Sequence, residues 1–577
     1  MFLFDLFRIR KKIPAPWKKY YKKEDLKIHI PNISMYEQVR RSYKTYPNYT
    51  AYEYFGKKVK YEKFIEEIDR AAICFYNMGI KKGDIVTICL PNIPEALIAL
   101  YALNKQGAIA NMLHPLSSEE EIKYSLNSTN SKYIVVYEDF YKKIEAIKDD
   151  TKLKKIILAS AKDHMKFFMR LVLTIRSMKR KKYPKNGINI SWNMFNHKYY
   201  YNQDDIHFEK FGRDTAAVII HSGGTSGTPK NVVIQNRAFI LASIQEKISL
   251  VNLKPGDCCL GIMPNFHGFG LSVLMHTPLA LGCYTILVPK FNAKRFDILF
   301  KKTKPTCVLG VPTLYEALLN CSNVKNLDLS FLKYVVSGGD ILPKPLEDRI
   351  NKYLYDHGSM AQITQGYGLS EALAAVTLAH DDVNKSGSVG IPLAGNHIKI
   401  IDPATRETVP YGEVGEIVVH SKAFMNGYLN EESETNTALQ IHKDGHVWLH
   451  TGDLGYMDED GFVFYKGRIK RMIITSGYNV YPAHIEEVLE HHPAVLQCTV
   501  VGVPHPYKQE VPKAFIVLKE GFHGLFIKSE IKSYAEKRLA KYMMPTEFVY
   551  RKKLPRTKLG KVDFKTLQED FGDDDDE

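Results

Sequence analysis

Apolar residues in the first half of the chain come in short unbroken runs rather than in alternation with polar ones. Runs at 85–90 and 108–113 flank a helical pattern at 93–105. Such runs predict strands covered on both faces, as in parallel α/β sheets. The rhythm recurs at 216–221, 259–263, 285–288, 307–310 and 334–337, each followed by a loop marked by Gly or Pro and then a helical pattern. Ligands in such sheets gather beyond the carboxyl ends of strands, so these loops are where chemistry is expected. From about residue 389 the pattern changes to short strands at 397–401, 416–420, 462–465 and 472–475, with turn signals such as Asp402-Pro403 and Asp460-Gly461. This predicts a β-rich subdomain. The last hundred residues carry a helix at 483–491, strands at 497–503 and 513–518, and a helix at 527–539, a small α+β unit.

A chain of 577 residues, 45% apolar and 25% charged, has room for about three to five domain-sized units. That composition excludes disordered, collagen-like, coiled-coil and disulfide-scaffold classes. Lys and Arg exceed Asp and Glu by 15, and residues 1–23 (net +7) and 162–185 (net +8) account for the whole excess. The expectation is a nearly neutral body with two basic appendages, suited to an anionic membrane surface rather than to nucleic acid. The eight cysteines form no C-x-x-C pair and sit mostly in apolar runs, which predicts buried thiols in a reducing compartment. The N-terminus is apolar first and basic after, the reverse of a secretory signal. The uncharged stretch 258–289 is cut by Pro264, Asn265, His267, Gly268 and Pro278, so it predicts buried strand, loop, helix and strand rather than a membrane span.

The densest chemical signal is His221-Ser-Gly-Gly-Thr-Ser-Gly-Thr-Pro-Lys230, directly after the strand at 216–221. Small residues let backbone N–H groups close around an anion, hydroxyls add donors, and a lysine ends the loop. The spacing is not that of a Walker A loop. Four further stretches follow in order: Gln365-Gly-Tyr-Gly-Leu-Ser-Glu371, Thr451-Gly-Asp453, Gly467-Arg468 and Pro555-Arg-Thr-Lys-Leu-Gly-Lys561. Together the five resemble the signatures of the adenylate-forming superfamily, in its acyl-CoA synthetase branch, across about residues 35–567.

The resemblance implies a role for each residue. Thr225, Ser226, Gly227 and Lys230 would hold the β- and γ-phosphates of ATP. Gly339, Asp340 and Gln365 would line the adenine site, with Tyr367 stacking on the base. Glu371 would ligate Mg²⁺, a cation that favours a carboxylate plus phosphate oxygens, and Ser370 would touch phosphate. Asp453, joined by Arg468, would accept the ribose hydroxyls. Lys561 would neutralise charge as the substrate carboxylate attacks the α-phosphate. The C-terminal domain would then turn about a hinge at Lys470 and Arg471, the latter standing where Asp or Glu is usual, and bring Gly477 and Tyr478 to coenzyme A.

Pro264-Asn-Phe-His-Gly-Phe-Gly270 resembles the gate loop of fatty-acyl and aryl-acyl CoA ligases, with His267 lacking the fixed negative charge that would pair with an amino acid. The apolar stretches 308–314 and 372–376 fit an acyl chain or ring. Residues 161–185 mix apolar and basic side chains as an interfacial amphipathic helix does. The expected architecture is α/β: a basic extension at 1–30, a large domain at 31–470 of stacked α/β sheets plus a β-rich subdomain, and a small mobile α+β domain at 471–577. The expected activity is cytoplasmic, ATP-dependent ligation of a fatty acid to coenzyme A. The rivals are an aryl-CoA ligase, a carrier-protein-loading enzyme and a non-catalytic membrane-binding scaffold.

Overall fold

A computed structural model describes residues 14–166, 187–222, 229–321, 327–380, 382–475, 478–557 and 562–570. Its centre is the helix Pro94–Lys105, in which every residue but Lys105 is buried. A helix with no polar face must be covered on all sides, and here two large sheets contribute to the hydrophobic core that covers it. In the eight-stranded sheet, Ile85–Cys89 lies between Ile109–Met112 and Tyr133–Tyr137, all parallel. In the nine-stranded sheet, Cys258–Gly261, Cys307–Gly310, Tyr334–Gly338 and Ile363–Gly368 run parallel in succession. The stretch 258–289 forms strand, π-helix (Phe269–His276) and strand, as its interruptions predict. All eight cysteines are buried and unpaired.

A third, antiparallel sheet holds His397–Ile401, Gly415–His420, Val447–Met457, Leu439–Ile441 and Val463–Arg468. One 3₁₀ turn, Ile469–Arg471, leads from it to a fourth sheet. There Ile473–Thr475, Gln509–Leu518 and Val495–His505 pack with helices Pro482–Glu490 and Leu525–Glu536 around a separate core that includes Ile485, Leu489, Ile531 and Ala535. The fold is therefore mixed α/β, with a large N-terminal and a smaller C-terminal domain.

Two expectations need correction. The strand Ala216–Ser222 is not followed by a helix: the chain returns antiparallel as Lys230–Gln235 before the helix Asn236–Ser249 begins. Nor is the basic start a free appendage where it is described. Trp17 is 1% exposed, and Tyr21, Ile28 and Ile30 are buried with it. The Tyr21 hydroxyl donates to the Pro392 carbonyl (3.0 Å), and Lys19 pairs with Asp460 (2.5 Å). Four apolar anchors outweigh a charge that the intervening lysines carry into solvent. Of the second basic segment, His164 and Met165 pack into the body; 167–185 lies outside the described residues.

His164 closes a buried ion pair at the head of the central helix. Its Nδ1 lies 2.8 Å from Glu95, which is fully buried in the first helical turn, and its Nε2 lies 3.6 Å from Glu67. Burial alone would lower the His164 pKa, but the Glu95 and Glu67 carboxylates outweigh it and raise it to about 10. A group raised in the folded state stabilises fully below its unfolded value near 6.5 and loses that contribution as pH climbs to the folded value. His164→Asn should therefore cost about 3 kcal/mol at pH 6.5, by stranding a buried carboxylate. The gap to the parent should narrow between pH 7 and 10. Denaturant midpoints of the two proteins across that range check this.

Candidate active site

Two of the motifs, carried by different sheets, converge. The strands Val447–Met457 and Val463–Arg468 pair with Asp453 directly opposite Arg468. The Asp453 carboxylate, 4% exposed, lies 3.2 Å from Arg468 Nε, and its other oxygen accepts from the Tyr367 hydroxyl at 2.7 Å. Tyr367 comes from the nine-stranded sheet, and its ring centre lies 5.9 Å from that of Tyr465. Burial, and then the Asp453 charge, holds both phenols above their ordinary pKa. Gln365, buried two residues earlier on the same strand, pairs with Ser337. The neighbouring strand Tyr334–Gly338 is followed by Gly339, whose φ of +78° turns the chain toward the exposed Asp340. The Asp340 charge acts on Tyr465 and on Glu490, the last residue of the helix Pro482–Glu490. Glu490 is pushed up to about 8, first by burial, then by Glu486, Glu316 and Asp340 against the opposing Cys498 N–H.

A second cluster surrounds the phosphate-loop lysine. Thr225, Ser226 and Gly227 lie outside the described residues, but the flanking Ser222 and Lys230 pair across the two strands. The Lys230 ammonium binds the Glu434 carboxylate and sits 4.7 Å from the Tyr428 ring centre. The Tyr428 hydroxyl donates to Glu371 Oε1 at 2.8 Å. Glu371 and Ser370 occupy a 3₁₀ turn, Ser370–Ala372, whose Glu371 carbonyl accepts from the Met425 N–H. Lys230, Tyr428 and Glu371 thus form one chain of contacts. Tyr428 and Glu434 escaped the sequence reading because both partners are more than fifty residues away and no spacing announces them.

The loop 264–270 rests on the turn after Glu371. A Cβ on Gly268 would stand 1.5 Å from the Leu373 carbonyl oxygen. Leu373 is itself fully buried at φ +68°, a conformation that a branched residue keeps only when its surroundings enforce it. Asn92 bonds to the Gly261 and Met263 carbonyls and to the Asn265 N–H, and the Phe266 ring lies against His114 (4.2 Å). His267 is half-buried, and its carbonyl accepts from Leu271. Val308, Leu309 and Leu314 are core residues.

In the C-terminal domain, Lys561 and Gly477 lie outside the described residues, and of Tyr478 only the backbone is described, paired with Thr475. Arg471 is committed to this domain: its guanidinium pairs with Glu486 (2.7 Å), donates to the Val500 carbonyl (3.1 Å) and lies 3.6 Å from the Phe564 ring centre. Lys470, by contrast, is exposed. Among the described residues no three or more His, Cys, Asp or Glu side chains are grouped as a metal cage. Glu371 as a single carboxylate still suits Mg²⁺, which takes one or two carboxylates and completes its shell with phosphate oxygens and water.

Comparison with known proteins places the chain in a family. Residues 39–429 match the AMP-binding enzyme family, and residues 484–561 match the AMP-binding enzyme C-terminal domain. A long-chain-fatty-acid–CoA ligase of Bacillus subtilis (strain 168) is 32% identical over 559 residues, 95% of this chain and 96% of its own. A probable 4-coumarate–CoA ligase 1 of Dictyostelium discoideum is 31% identical over 83% of this chain and 84% of its own. The crystal structure of an anthranilate CoA ligase in complex with anthranoyl-AMP superposes with a TM-score of 0.81, covering 94% of this chain and 98% of its own at 23% identity. The chain belongs to the AMP-binding enzyme family. Within it, the chain is an ATP-using, AMP-forming acid–CoA ligase, which removes the non-catalytic scaffold from the alternatives.

Tyr428→Phe should lower acid-dependent ATP–pyrophosphate exchange about tenfold, the scale of one lost hydrogen bond to a charged group. Its melting temperature should stay within a few degrees of the parent, because the ring and its packing remain. Exchange kinetics and a thermal melt check both halves.

Proposed function

We propose that this ligase activates medium- or long-chain fatty acids: acid and ATP give acyl-adenylate and pyrophosphate, and coenzyme A then gives acyl-CoA and AMP. The observation that carries this reading is the match, over nearly the full length of both chains, to an enzyme named for long-chain fatty acids. The apolar surroundings of the gate loop, with Phe266 and Leu373 buried beside Gly268, are consistent with an uncharged acyl group. An aryl acid is the second reading, favoured by the 4-coumarate relative. Acid-dependent pyrophosphate exchange across saturated fatty acids, cinnamates and benzoates separates the two, followed by coenzyme A or holo-carrier protein as acceptor. Exchange should be strongest with acids of about eight or more carbons, since each buried CH₂ contributes about 0.8 kcal/mol. Exchange with aromatic acids alone overturns the fatty-acid reading.

In this reading Asp453 accepts the ribose hydroxyls, with Arg468 beside it, while Gly339, Asp340, Gln365 and Tyr367 surround the adenine. Thr225, Ser226, Gly227 and Lys230 take the β- and γ-phosphates. Lys230 then exchanges Glu434 for a phosphate, one anion for another of higher charge. Ser370 touches phosphate and Glu371 ligates Mg²⁺, which when bound would neutralise phosphate charge. His267 stands at the acyl gate. The large domain ends at 470 and the small one begins at 471. The hinge stands at Lys470 and Arg471, with the Arg471 side chain tied to the small domain. Gly477 and Tyr478 meet coenzyme A after that turn. No helix among the described residues is long and apolar enough to cross a membrane. A cytoplasmic location, with peripheral contact to anionic lipid through residues 161–185, rests on the sequence pattern.

Lys561 acts in the first step only. Lys561→Ala should slow acyl-adenylate formation about 10²-fold or more, the scale of losing a preorganised donor. Thioester formation from supplied acyl-adenylate should change little. Equal loss in both half-reactions overturns the two-position account.

A further inference from the structure

The turn that carries Asp453 is an interruption in the sheet. Along Val447–Met457, His450 faces Val418 and Leu454 faces Glu416. Three residues, Thr451, Gly452 and Asp453, therefore stand opposite the single residue Ile417. A bulge of this kind leaves backbone groups without ladder partners and re-aims a side chain. Here the partners come from side chains. The Thr451 hydroxyl donates to the Ile417 carbonyl at 2.6 Å and accepts from the Asp453 N–H at 3.0 Å. The Gly452 N–H, at a residue whose φ is +68°, donates to Glu416 Oε1 at 3.0 Å.

Glu416 is 6% exposed, and its second oxygen is also engaged: His450 Nδ1 lies 3.0 Å from Oε2. The other His450 nitrogen, Nε2, lies 2.9 Å from His442 Nε2. With Nδ1–H given to the carboxylate, a neutral His450 accepts from His442 through Nε2. Buried polar groups arranged in this way resist displacement, since freeing any one strands the others. Three residues before the site carboxylate, the same strand thus supplies the brace for the Glu416 side chain that holds the bulge open.

We propose that Glu416, braced by His450, is a positioning residue for the sugar of the nucleotide. It fixes the bulge that aims Asp453 at the ribose 2′ and 3′ hydroxyls, and so sets the preference for ribonucleoside over deoxyribonucleoside triphosphate. This rests on the assignment of Asp453 to the ribose. Neither Glu416 nor His450 touches substrate; each acts through the Gly452 N–H and the position of the Asp453 carboxylate.

The test is acid-dependent pyrophosphate exchange with ATP, 2′-deoxy-ATP and 3′-deoxy-ATP, run on the full chain. The parent should favour ATP in kcat/KM by at least about tenfold, the scale of one or two hydrogen bonds to a charged group. Glu416→Ala and His450→Leu should shrink that preference to about threefold or less, through a raised KM for ATP and little change with the deoxy nucleotides. Glu416→Gln keeps an oxygen for Gly452, and His450→Asn keeps a donor for Glu416, so both should recover most of the preference. A merely structural role would lower all three nucleotides together and leave the ratio unmoved. Asp453→Ala separates the two levels of the argument. If it retains the parent ratio, the ribose assignment fails and the proposal falls with it. If it abolishes the ratio while folded Glu416→Ala and His450→Leu keep it, the proposal alone is overturned. Should Glu416→Ala fail to fold, His450→Leu decides, because it keeps the Glu416 carboxylate beside Gly452 and removes only the group that fixes its position.

Discussion

The helix Pro94–Lys105 imposes the constraint on which the large domain depends. With Leu97, Leu100 and Leu103 as buried as Ile98, Ala99 and Ala102, it offers no face to solvent, so apolar layers must cover it from opposite sides. Two large sheets, parallel at their centres and antiparallel at their edges, contribute to the core that meets that requirement, and the candidate site residues lie in or beyond their strands. The phosphate-loop strand belongs to one sheet, and Gln365, Tyr367 and the turn of Glu371 belong to or follow a strand of the other. A buried helix with no catalytic residue of its own thus determines which motifs can meet.

Cations of the candidate site and of the junction beyond it are paired with carboxylates. Lys230 rests on Glu434, Arg468 on Asp453, and Arg471 on Glu486. These pairs differ in what surrounds them. Glu434 is half exposed, so releasing Lys230 costs little beyond a screened surface interaction. Asp453 is buried and keeps Arg468 and Tyr367 as fixed partners, which suits a carboxylate that must hold one direction. Burial therefore separates a cation that is free to change partner from an anion that is not.

Much of this architecture is legible in the residue order. Cys307–Gly310, buried at every position, and His397–Ile401, with Ile398 and Ile400 buried beside half-buried His397 and Lys399, fall where the apolar pattern places them. The motifs Gln365–Glu371 and Thr451–Asp453 are legible because each packs its chemistry into three to seven consecutive residues. What escapes has a physical reason in each case. A Gly- and Ser-rich loop does not say in which direction the chain returns, so the hairpin Ala216–Gln235 reads as strand and helix. Trp17, Tyr21, Ile28 and Ile30 are spaced irregularly among lysines, and the charge hides the anchors. Tyr428, Glu434 and Glu416 are ordinary polar residues until the fold brings Glu371, Lys230 and Gly452 to them.

The packing of residues 14–30 has a mechanical consequence. Trp17 lies against the ring of His397 (5.9 Å), Lys19 reaches Asp460 from the same antiparallel sheet, and Tyr21 ties to Pro392 at the edge of the nine-stranded sheet. This stretch works as a strap that clamps the β-rich layer to the larger one, far from it in sequence. Any turning motion beyond Arg468 then leaves Asp453, Arg468 and Tyr367 in a single stationary frame. Under the proposed roles, a nucleotide gripped by Asp453 would keep its seat while the small domain turns, as work in a vice stays put when the tool is changed.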